Sequence, residues 1–231
     1  MSDAQLDDVR VARYARQLLV PGFGEGAQLR LGAARVRVVG AEAVVAPALV
    51  YVVQAGIGKL WIDDPETVGP QDVGGWLYVP QDVGRPRSDA AADGLRRLSR
   101  LVAVEPYPTG GVPTATLVAA PSPAQALHAA EASRRAGLPH VVVEPDADGG
   151  ALVSVPPGAP CYNCARSTGE GRPAMPGAAA LAALAATELV LLIASPGSVG
   201  GRRFDLVRGV TTLRPTARLA GCACGAAAPA G

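Results

Sequence analysis

The segment that most constrains the fold is a glycine turn between a strand and a helix, "VVGAEAVVAPAL". An apolar strand over residues 34–40 ends in Gly40, an amphipathic helix over 43–55 follows, and a second short strand covers 58–64. A strand, a turn, a helix and a second strand within about 30 residues form a βαβ unit. Because two strands joined in this way run parallel, we expect a largely parallel sheet.

Strand-like and helix-like segments continue to alternate along the chain of 231 residues. Further helices are predicted over 4–17, 88–101, 123–137 and 178–194, strands over 114–120, 139–145 and 150–155, and a hairpin over 202–216. Such alternation predicts an α/β fold of the Rossmann-like, doubly wound type. The sheet is expected to be mostly parallel, with helices on both faces and antiparallel strands at its C-terminal end.

We expect residues 1–231 to form a single domain with three parts. Residues 1–33 are a helical arm, 34–155 the Rossmann-like core, and 156–231 a cysteine-containing loop, a long helix, a hairpin and a tail. The length suffices for one α/β domain with a sizeable core.

The charge composition excludes two classes of partner. Charged residues make up 18% of the chain and the net charge is +1, so neither a nucleic-acid nor a membrane-binding surface is expected. The longest apolar run, 178–194, is shorter than the ~20 residues that span a bilayer and contains Glu188. The polar, acidic N-terminal segment does not resemble a signal peptide, so a cytoplasmic location is expected.

The glycine turn departs from the phosphate-binding pattern G-x-G-x-x-G. Gly40 holds the first position, but Glu42 and Val45 hold the second and third. A carboxylate ~4 Å from a phosphate charge opposes binding by ~4 kcal/mol at an effective dielectric constant of ~20. Val45 places a branched side chain where helix and strand must pack closely. One interpretation is a turn that binds no nucleotide; the other is an ATP site in which magnesium or a rotated Glu42 relieves the repulsion.

Four cysteines form two closely spaced pairs. Cys161 and Cys164 are a C-x-x-C turn, while Cys222 and Cys224 form C-x-C near the other end of the chain. Four thiolates in such pairs predict a structural zinc site. The alternatives are four unpaired thiols or a disulfide, the latter disfavoured in a cytosolic protein.

Seven segments in order along the chain resemble the ThiF/MoeB/HesA family, the bacterial relatives of ubiquitin-activating enzymes. These segments are 13–40, 46–68, 82–98, 136–141, 158–164, 185–194 and 221–225. The resemblance implies binding of ATP and magnesium at the glycine-rich turn. It also implies adenylation of the C-terminal glycine of a small ubiquitin-like protein or a peptide, followed by transfer to a sulfur donor or a cysteine.

The resemblance also assigns roles to individual residues. Gly40 corresponds to the nucleotide turn, Asp64 to a ribose-binding acid and Arg87 to a lysine that contacts the triphosphate. Each has a plainer explanation: Asp64 could cap the loop that follows it, and Arg87 could be a solvated residue near a helix start. These alternatives stay open at the level of sequence.

Other family features are missing. The family's N-L-x-R-Q motif would place an arginine where Gly75 stands, and its magnesium-binding D-x-T-D-N turn is replaced by 118–125, which has no carboxylate. The segment 165–177, where many relatives carry a nucleophilic cysteine, has none. Covalent chemistry on a cysteine is therefore not expected, and His128 and His140 are assigned to core or surface positions.

Arg13 matches an arginine that, in relatives, reaches across a dimer into the partner's ATP site. It could instead lie on the helix surface and pair with Asp7 or Asp8. The glycines, the loop arginine and the metal-binding acids that would bind ATP within this chain are missing. Arg13, the four cysteines and the long apolar helix, which would serve the architecture and a neighbouring subunit, are present.

Two hypotheses follow for the function. The first is a pseudoenzyme: a dimeric scaffold, or a partner of an intact adenylating paralogue, that docks a ubiquitin-like carrier or a peptide. The second is a divergent ATP-dependent adenylyltransferase that uses Arg87 and Asp64. A dinucleotide-dependent oxidoreductase is disfavoured because its pyrophosphate would meet Glu42 as well.

Overall fold

The structure, a computed structural model, describes residues 5–74, 76–120, 122–146, 149–166 and 175–225. Its helices are α1 (Asp8–Leu18), α2 (Gly24–Ala33), α3 (Ala46–Gln54), α4 (Arg87–Arg96), α5 (Pro123–Arg135), α6 (Tyr162–Ala165) and α7 (Met175–Ala194). Its strands are β1 (Arg35–Val39), β2 (Lys59–Asp63), β3 (Ala103–Pro106), β4 (Ala115–Val118), β5 (His140–Asp146), β6 (Gly149–Val155), β7 (Arg202–Val207) and β8 (Val210–Pro215).

All eight strands form one sheet in the order β3-β2-β1-β4-β5-β6-β7-β8. The first five strands in this order are parallel, and β6, β7 and β8 add to them in antiparallel fashion. The chain starts in the middle of the sheet, proceeds to one edge through β2 and β3, and then returns to β4 on the other side of β1. The predicted α/β, doubly wound fold with antiparallel C-terminal strands is thus confirmed.

The main core lies on one face of the sheet, beneath α3, α4 and α7. Helix α7 packs against α2, α3, β5 and β6, and Leu181, Ala185 and Leu189 on it are almost completely buried. Its many alanines let the neighbouring elements approach closely. The segment 178–194 is therefore a buried helix, as predicted, and no described helix is both long and apolar enough to cross a bilayer.

The opposite face is covered over only part of its width. Helix α5 packs there against β4 and β5, and α6 packs against β6. The connection from β3 to β4, residues 107–114, contains no helix. It must pass two strands, about 14 Å of sheet, and eight extended residues reach about 26 Å, so a loop suffices.

Charged and aromatic side chains cover the sheet where a crossover helix is absent. Arg37 forms an ion pair with Asp63 and lies over the ring of Tyr107 at 4.6 Å. The Trp61 ring meets Tyr107 edge-on at 5.8 Å, and the Trp61 side chain donates to Glu105 at 3.4 Å. These contacts leave Trp61 only 7% exposed.

Three elements, α2, α6 and β3, were not predicted from the sequence. Helix α2 begins within the glycine-containing segment "VPGFGEG" (20–26), and only Ala27, Gln28 and Leu31 of it are buried, so its sequence has little amphipathic pattern. Strand β3 is four residues long and ends in a proline, which hides it from pattern analysis. Helix α4 begins at Arg87, one residue before the predicted start, and ends at Arg96, five residues before the predicted end.

We expect Leu189→Ala to lower the free energy of unfolding by about 2–5 kcal/mol, because it leaves a cavity between α7 and the sheet. Leu213→Ala removes the same atoms from a side chain that is 57% exposed, and should change stability by less than about 0.5 kcal/mol. Urea unfolding followed by circular dichroism checks both. Equal losses for the two variants would contradict the central position of α7.

Candidate functional site

A cleft of about 350 Å³ opens at the C-terminal ends of β1, β2 and β4. The connections leaving β1 and β4 diverge there, which is where open α/β sheets bind their ligands. Its lining includes Gly40, Asp64, Glu66, Gln125 and His128. Gln125 and His128 lie on α5 and were not expected at a site. No sequence signal marks them, since only the packing of α5 beside β4 brings them to the cleft.

The packing of the chain itself accounts for the glycine at position 40. Gly40 has φ +84°, and a Cβ atom there would lie 2.3 Å from the carbonyl oxygen of Ala119. A side chain is therefore excluded twice, by the backbone conformation and by the end of β4. The need for glycine at this turn does not depend on a phosphate.

The turn that follows Gly40 has hydrogen bonds to carboxylates of the same chain. The Ala41 N–H donates to Asp64 at 2.8 Å and the Ala43 N–H donates to Asp72 at 3.3 Å. The Tyr78 hydroxyl donates to the Ala41 carbonyl at 2.5 Å. In a phosphate-binding turn, backbone N–H groups of this kind point at the ligand. Here two of them are bonded to side-chain carboxylates instead.

Arg87 lies between the same two carboxylates. Its guanidinium donates to Asp64 at 3.1 Å and to Asp72 at 3.1 Å, and all three side chains are almost completely buried. Burial opposes the charged guanidinium, but Asp64 and Asp72 outweigh it and raise the pKa of Arg87. The structure thus brings together the two residues expected to bind nucleotide, and bonds them to each other. Arg87 is not the solvated residue of the plainer explanation.

Asp72 is the partner that sequence reasoning missed. It also accepts the Gly69 N–H at 2.9 Å and so closes its own 3₁₀ turn over Pro70–Asp72. The same sequence, P-Q-D-V, recurs at 80–83, where Asp82 accepts the Val79 N–H at 3.0 Å. This repeat is the signal that could have marked both aspartates as turn-capping residues.

Glu42 and Val45 occupy different environments. Glu42 is half-buried; burial raises the pKa of its carboxyl above the ordinary value of 4.5, although Arg87 acts to lower it. Val45 has no exposed surface and packs in the main core, within the 3₁₀ turn Ala43–Val45 that precedes α3. Val45 therefore does not fill the cleft, and its branched side chain packs into the core where the turn leads into α3.

Arg13 lies on the exposed part of α1, away from the lining of the cleft. It borders a separate groove of about 730 Å³ between α1, α3 and α7, together with Tyr51 and Thr187. Asp7, one of its suggested ion-pair partners, pairs with Arg10 instead. Of the other sequence features, Gly75 and part of 165–177 lie outside the described residues.

The four cysteines come together as the sequence predicts. The Sγ atom of Cys161 lies 3.7 Å from that of Cys164 and 3.6 Å from that of Cys222, and Cys164 lies 3.6 Å from Cys224. All four sulfurs lie within 4.8 Å of one another. A tetrahedral metal site with metal–sulfur bonds of about 2.3 Å has sulfurs about 3.8 Å apart. The cluster therefore fits a single metal ion.

The cysteine cluster lies between two segments that are distant in sequence. Cys161 immediately precedes the short helix α6 and Cys164 lies within it, whereas Cys222 and Cys224 follow the β7–β8 hairpin. The Leu219 N–H donates to the Cys164 sulfur at 3.4 Å. A metal ion held here would tie the segment after the last strand to the loop in front of α7.

Comparison with known proteins gives a consistent result. The model of the ThiF family matches residues 14–222. A sulfur carrier protein adenylyltransferase of Thermus thermophilus is 39% identical over 97 residues, which are 42% of this chain and 36% of that protein. The adenylyltransferase and sulfurtransferase UBA4 of Yarrowia lipolytica is 36% identical over 111 residues, 46% of this chain and 28% of that protein. The matched segments thus span about a third of these relatives.

Solved structures show the same fold at low identity. The structure of E. coli MccB with ATP superimposes with a TM-score of 0.79 at 18% identity, covering 92% of this chain and 74% of that one. PaaA superimposes with a TM-score of 0.72 at 17% identity, covering 95% of this chain and 77% of that one.

The raised pKa of Glu42 predicts a stability that falls as pH rises. Between pH 4.5 and the raised pKa of the folded state, the unfolded carboxyl has lost more of its proton than the folded one, so stability falls through this window. We expect the stability of Glu42→Gln relative to the unaltered chain to be constant below this window and to increase through it. Urea unfolding at a series of pH values measures the difference.

Glu131→Gln is the matched control with the opposite sign. Its hydrogen bond from Arg134 lowers the pKa of Glu131 to about 2. Removing this carboxylate should cost stability above the ordinary pKa, and the deficit should vanish as pH falls toward 2. A Glu42→Gln curve parallel to that of the unaltered chain would show that Glu42 is not desolvated.

Proposed function

The chain belongs to the ThiF family, and from this premise we propose that it is a non-catalytic member of it. It would act as a dimeric scaffold, or as the partner of an intact adenylating paralogue, and would dock a ubiquitin-like carrier or a peptide. The observation that carries the proposal is the hydrogen bonding of the glycine turn to Asp64 and Asp72.

These two carboxylates take the place that an anionic ligand would need. A phosphate approaching the turn would have to break the bonds of Ala41 and Ala43 to Asp64 and Asp72. It would also meet Glu42, and each carboxylate ~4 Å away opposes it by ~4 kcal/mol at a dielectric constant of ~20.

Arg87 does not offset this repulsion as a free cation would. Its charge is already shared by two buried carboxylates. Moving it toward a phosphate would leave Asp64 and Asp72 buried without a counter-charge, which is strongly unfavourable. The absence of the second and third glycines, of the loop arginine and of the metal-binding acids also disfavours ATP binding.

The second candidate is a divergent ATP-dependent adenylyltransferase. One observation favours it: the cleft persists at the switch point of the sheet, with Asp64 and Arg87 beside it. In this hypothesis magnesium would neutralise Glu42, and Arg87 would exchange Asp72 for a phosphate. Similarity to relatives that are named adenylyltransferases also supports this alternative.

The proposed partners follow from the relatives and from the position of Arg13. One relative is named a sulfur carrier protein adenylyltransferase, and a form of MccA is named together with MccB in a solved structure. Arg13 is exposed on the arm and separate from its own cleft, as a residue acting on a neighbouring subunit must be. The single-domain organisation, the cytoplasmic location and the absence of a nucleic-acid partner stay predictions.

Calorimetric titration with ATP and magnesium tests the proposal. We expect no magnesium-dependent binding by the unaltered chain at micromolar ATP, and no ATP–pyrophosphate exchange. Glu42→Gln removes one repelling charge and should tighten ATP binding at least about tenfold. Asp8→Asn removes an equal charge from α1 and should have no effect. Tight binding by the unaltered chain, with exchange activity, would establish the adenylyltransferase instead.

We further propose that the cysteine cluster holds a structural zinc ion. Four sulfurs and no open ligand position are characteristic of structural rather than catalytic zinc. Cys161 is buried, and burial raises the pKa of its thiol to about 12; a bound cation would stabilise the thiolate and so favour its deprotonation.

Metal analysis is expected to find about one zinc ion per chain. Cys164→Ser should lose most of it and unfold at lower temperature, because the tail is no longer tied to α6. Asn163→Ser alters the same turn without removing a sulfur and should keep the metal. If Cys164→Ser does not fold, chelation of the unaltered protein followed by zinc addition provides the same comparison. A metal-free protein of unchanged thermal stability would contradict the zinc site.

A further inference from the structure

Strand β8 leaves one edge of the sheet open. It is the outermost strand, and all six of its residues, Val210–Pro215, are exposed. Within the described parts of the chain no strand pairs with its outer edge. An edge of this kind presents backbone N–H and C=O groups that another extended chain can bond.

The opposite edge of the sheet is protected. Strand β3 has only four residues, ends in Pro106 and carries Glu105, and α4 packs against it. Short strands, prolines and charges are the usual means of blocking unwanted strand pairing. Strand β8 carries such residues only at its end, Arg214 and Pro215, while "VTTL" before them is rich in β-forming residues. The structure therefore blocks one edge and leaves the other open.

The two faces of β8 differ in chemistry. Leu213 lies opposite Phe204 of β7, on the face that carries α7, and is 57% exposed. Arg214 lies on the other face, where it pairs with Asp205 at 3.0 Å while keeping 64% of its side chain exposed. A strand added beside β8 would thus meet an apolar side chain on one face and a guanidinium on the other.

The local charge identifies the kind of partner. Residues 202–218 contain five arginines and one acidic residue. That acidic residue, Asp205, pairs with Arg203 and Arg214. From outside the segment, Glu188 pairs with Arg202 and Glu144 with Arg203, so the five arginines still exceed the three carboxylates by two. Pairing of β8 with β8 of a second copy would bring two such positive segments together, which disfavours that occupant. An acidic strand is favoured for the same reason.

We propose that the outer edge of β8 binds an extended peptide segment in which apolar and acidic residues alternate. Backbone hydrogen bonds would add it to the sheet as a ninth strand, with its apolar side chains beside Leu213 and its carboxylates beside Arg214. This inference rests on the proposed docking role and supplies a location for it. It involves no residue of the cleft.

A peptide of defined pattern tests the inference. The probe is a fluorescein-labelled ten-residue peptide of alternating valine and glutamate, measured by fluorescence anisotropy at low salt. A peptide of equal composition, with five valines followed by five glutamates, is the matched control. We expect the alternating peptide to bind at least about fivefold more tightly, because only it places the two residue types on opposite faces.

Two variants locate the site. Arg214→Glu should weaken binding of the alternating peptide about five- to tenfold, and Leu213→Asp should weaken it by a similar factor. Arg135→Glu reverses a charge of similar exposure on α5, and should leave binding unchanged. Circular dichroism confirms that each variant is folded. Amide hydrogen exchange should show slower exchange in β8 when the alternating peptide is added to the unaltered protein.

Several outcomes would overturn the inference. Equal binding of the two peptides, or no effect of Arg214→Glu, would show non-specific attraction of a polyanion. Absence of binding, with concentration-dependent dimerisation that Leu213→Asp abolishes in sedimentation experiments, would make a second copy the occupant. ATP titration of the same samples separates these results from the proposed loss of catalysis, because β8 and the cleft share no residue.

Discussion

The buried ion network of Arg87, Asp64 and Asp72 determines the character of the cleft. It holds the turn after Gly40 through two backbone hydrogen bonds and joins the loops that follow β1 and β2 to the start of α4. Removing one member would leave a charge buried without a partner, at a cost of about 3–5 kcal/mol. The network therefore holds the turn by bonds within the chain, and two backbone N–H groups of the turn are bonded to its carboxylates.

Helices are distributed unequally over the two faces of the sheet. Helix α7 and its neighbours bury one face, whereas the other face is covered by α5 and α6 over part of its width. A loop replaces the crossover helix between β3 and β4, and Arg37, Trp61 and Tyr107 close over the exposed strands. The parallel half of the sheet is thus retained with fewer covering elements, because paired charges and aromatic rings can shield strands that a helix would otherwise bury.

In the C-terminal third of the chain, the β7–β8 hairpin is held by contacts at its base while the outer edge of β8 stays unpaired among the described residues. The cysteine cluster joins the segment after β8 to α6, and the Arg202–Glu188 pair joins β7 to α7. Both interactions hold the hairpin at the end of the sheet without covering its outer strand. A rigidly held strand with an unpaired edge is well suited to docking, since little conformational entropy is lost when a partner adds to it.

The amino-acid sequence alone determines the βαβ core, the buried helix over 178–194 and the pairing of four cysteines, because each depends on spacing along the chain. The resemblance to the ThiF/MoeB/HesA family also points to Asp64 and Arg87, but at the level of sequence each keeps an alternative explanation. Only the tertiary structure decides that they bond to each other, that Val45 packs into the core, and that Asp72 completes the network. Those facts depend on loops separated in sequence, whose side chains find partners only when the sheet has aligned the strand ends. The open edge of β8 follows in the same way from strand order, which local pattern cannot specify.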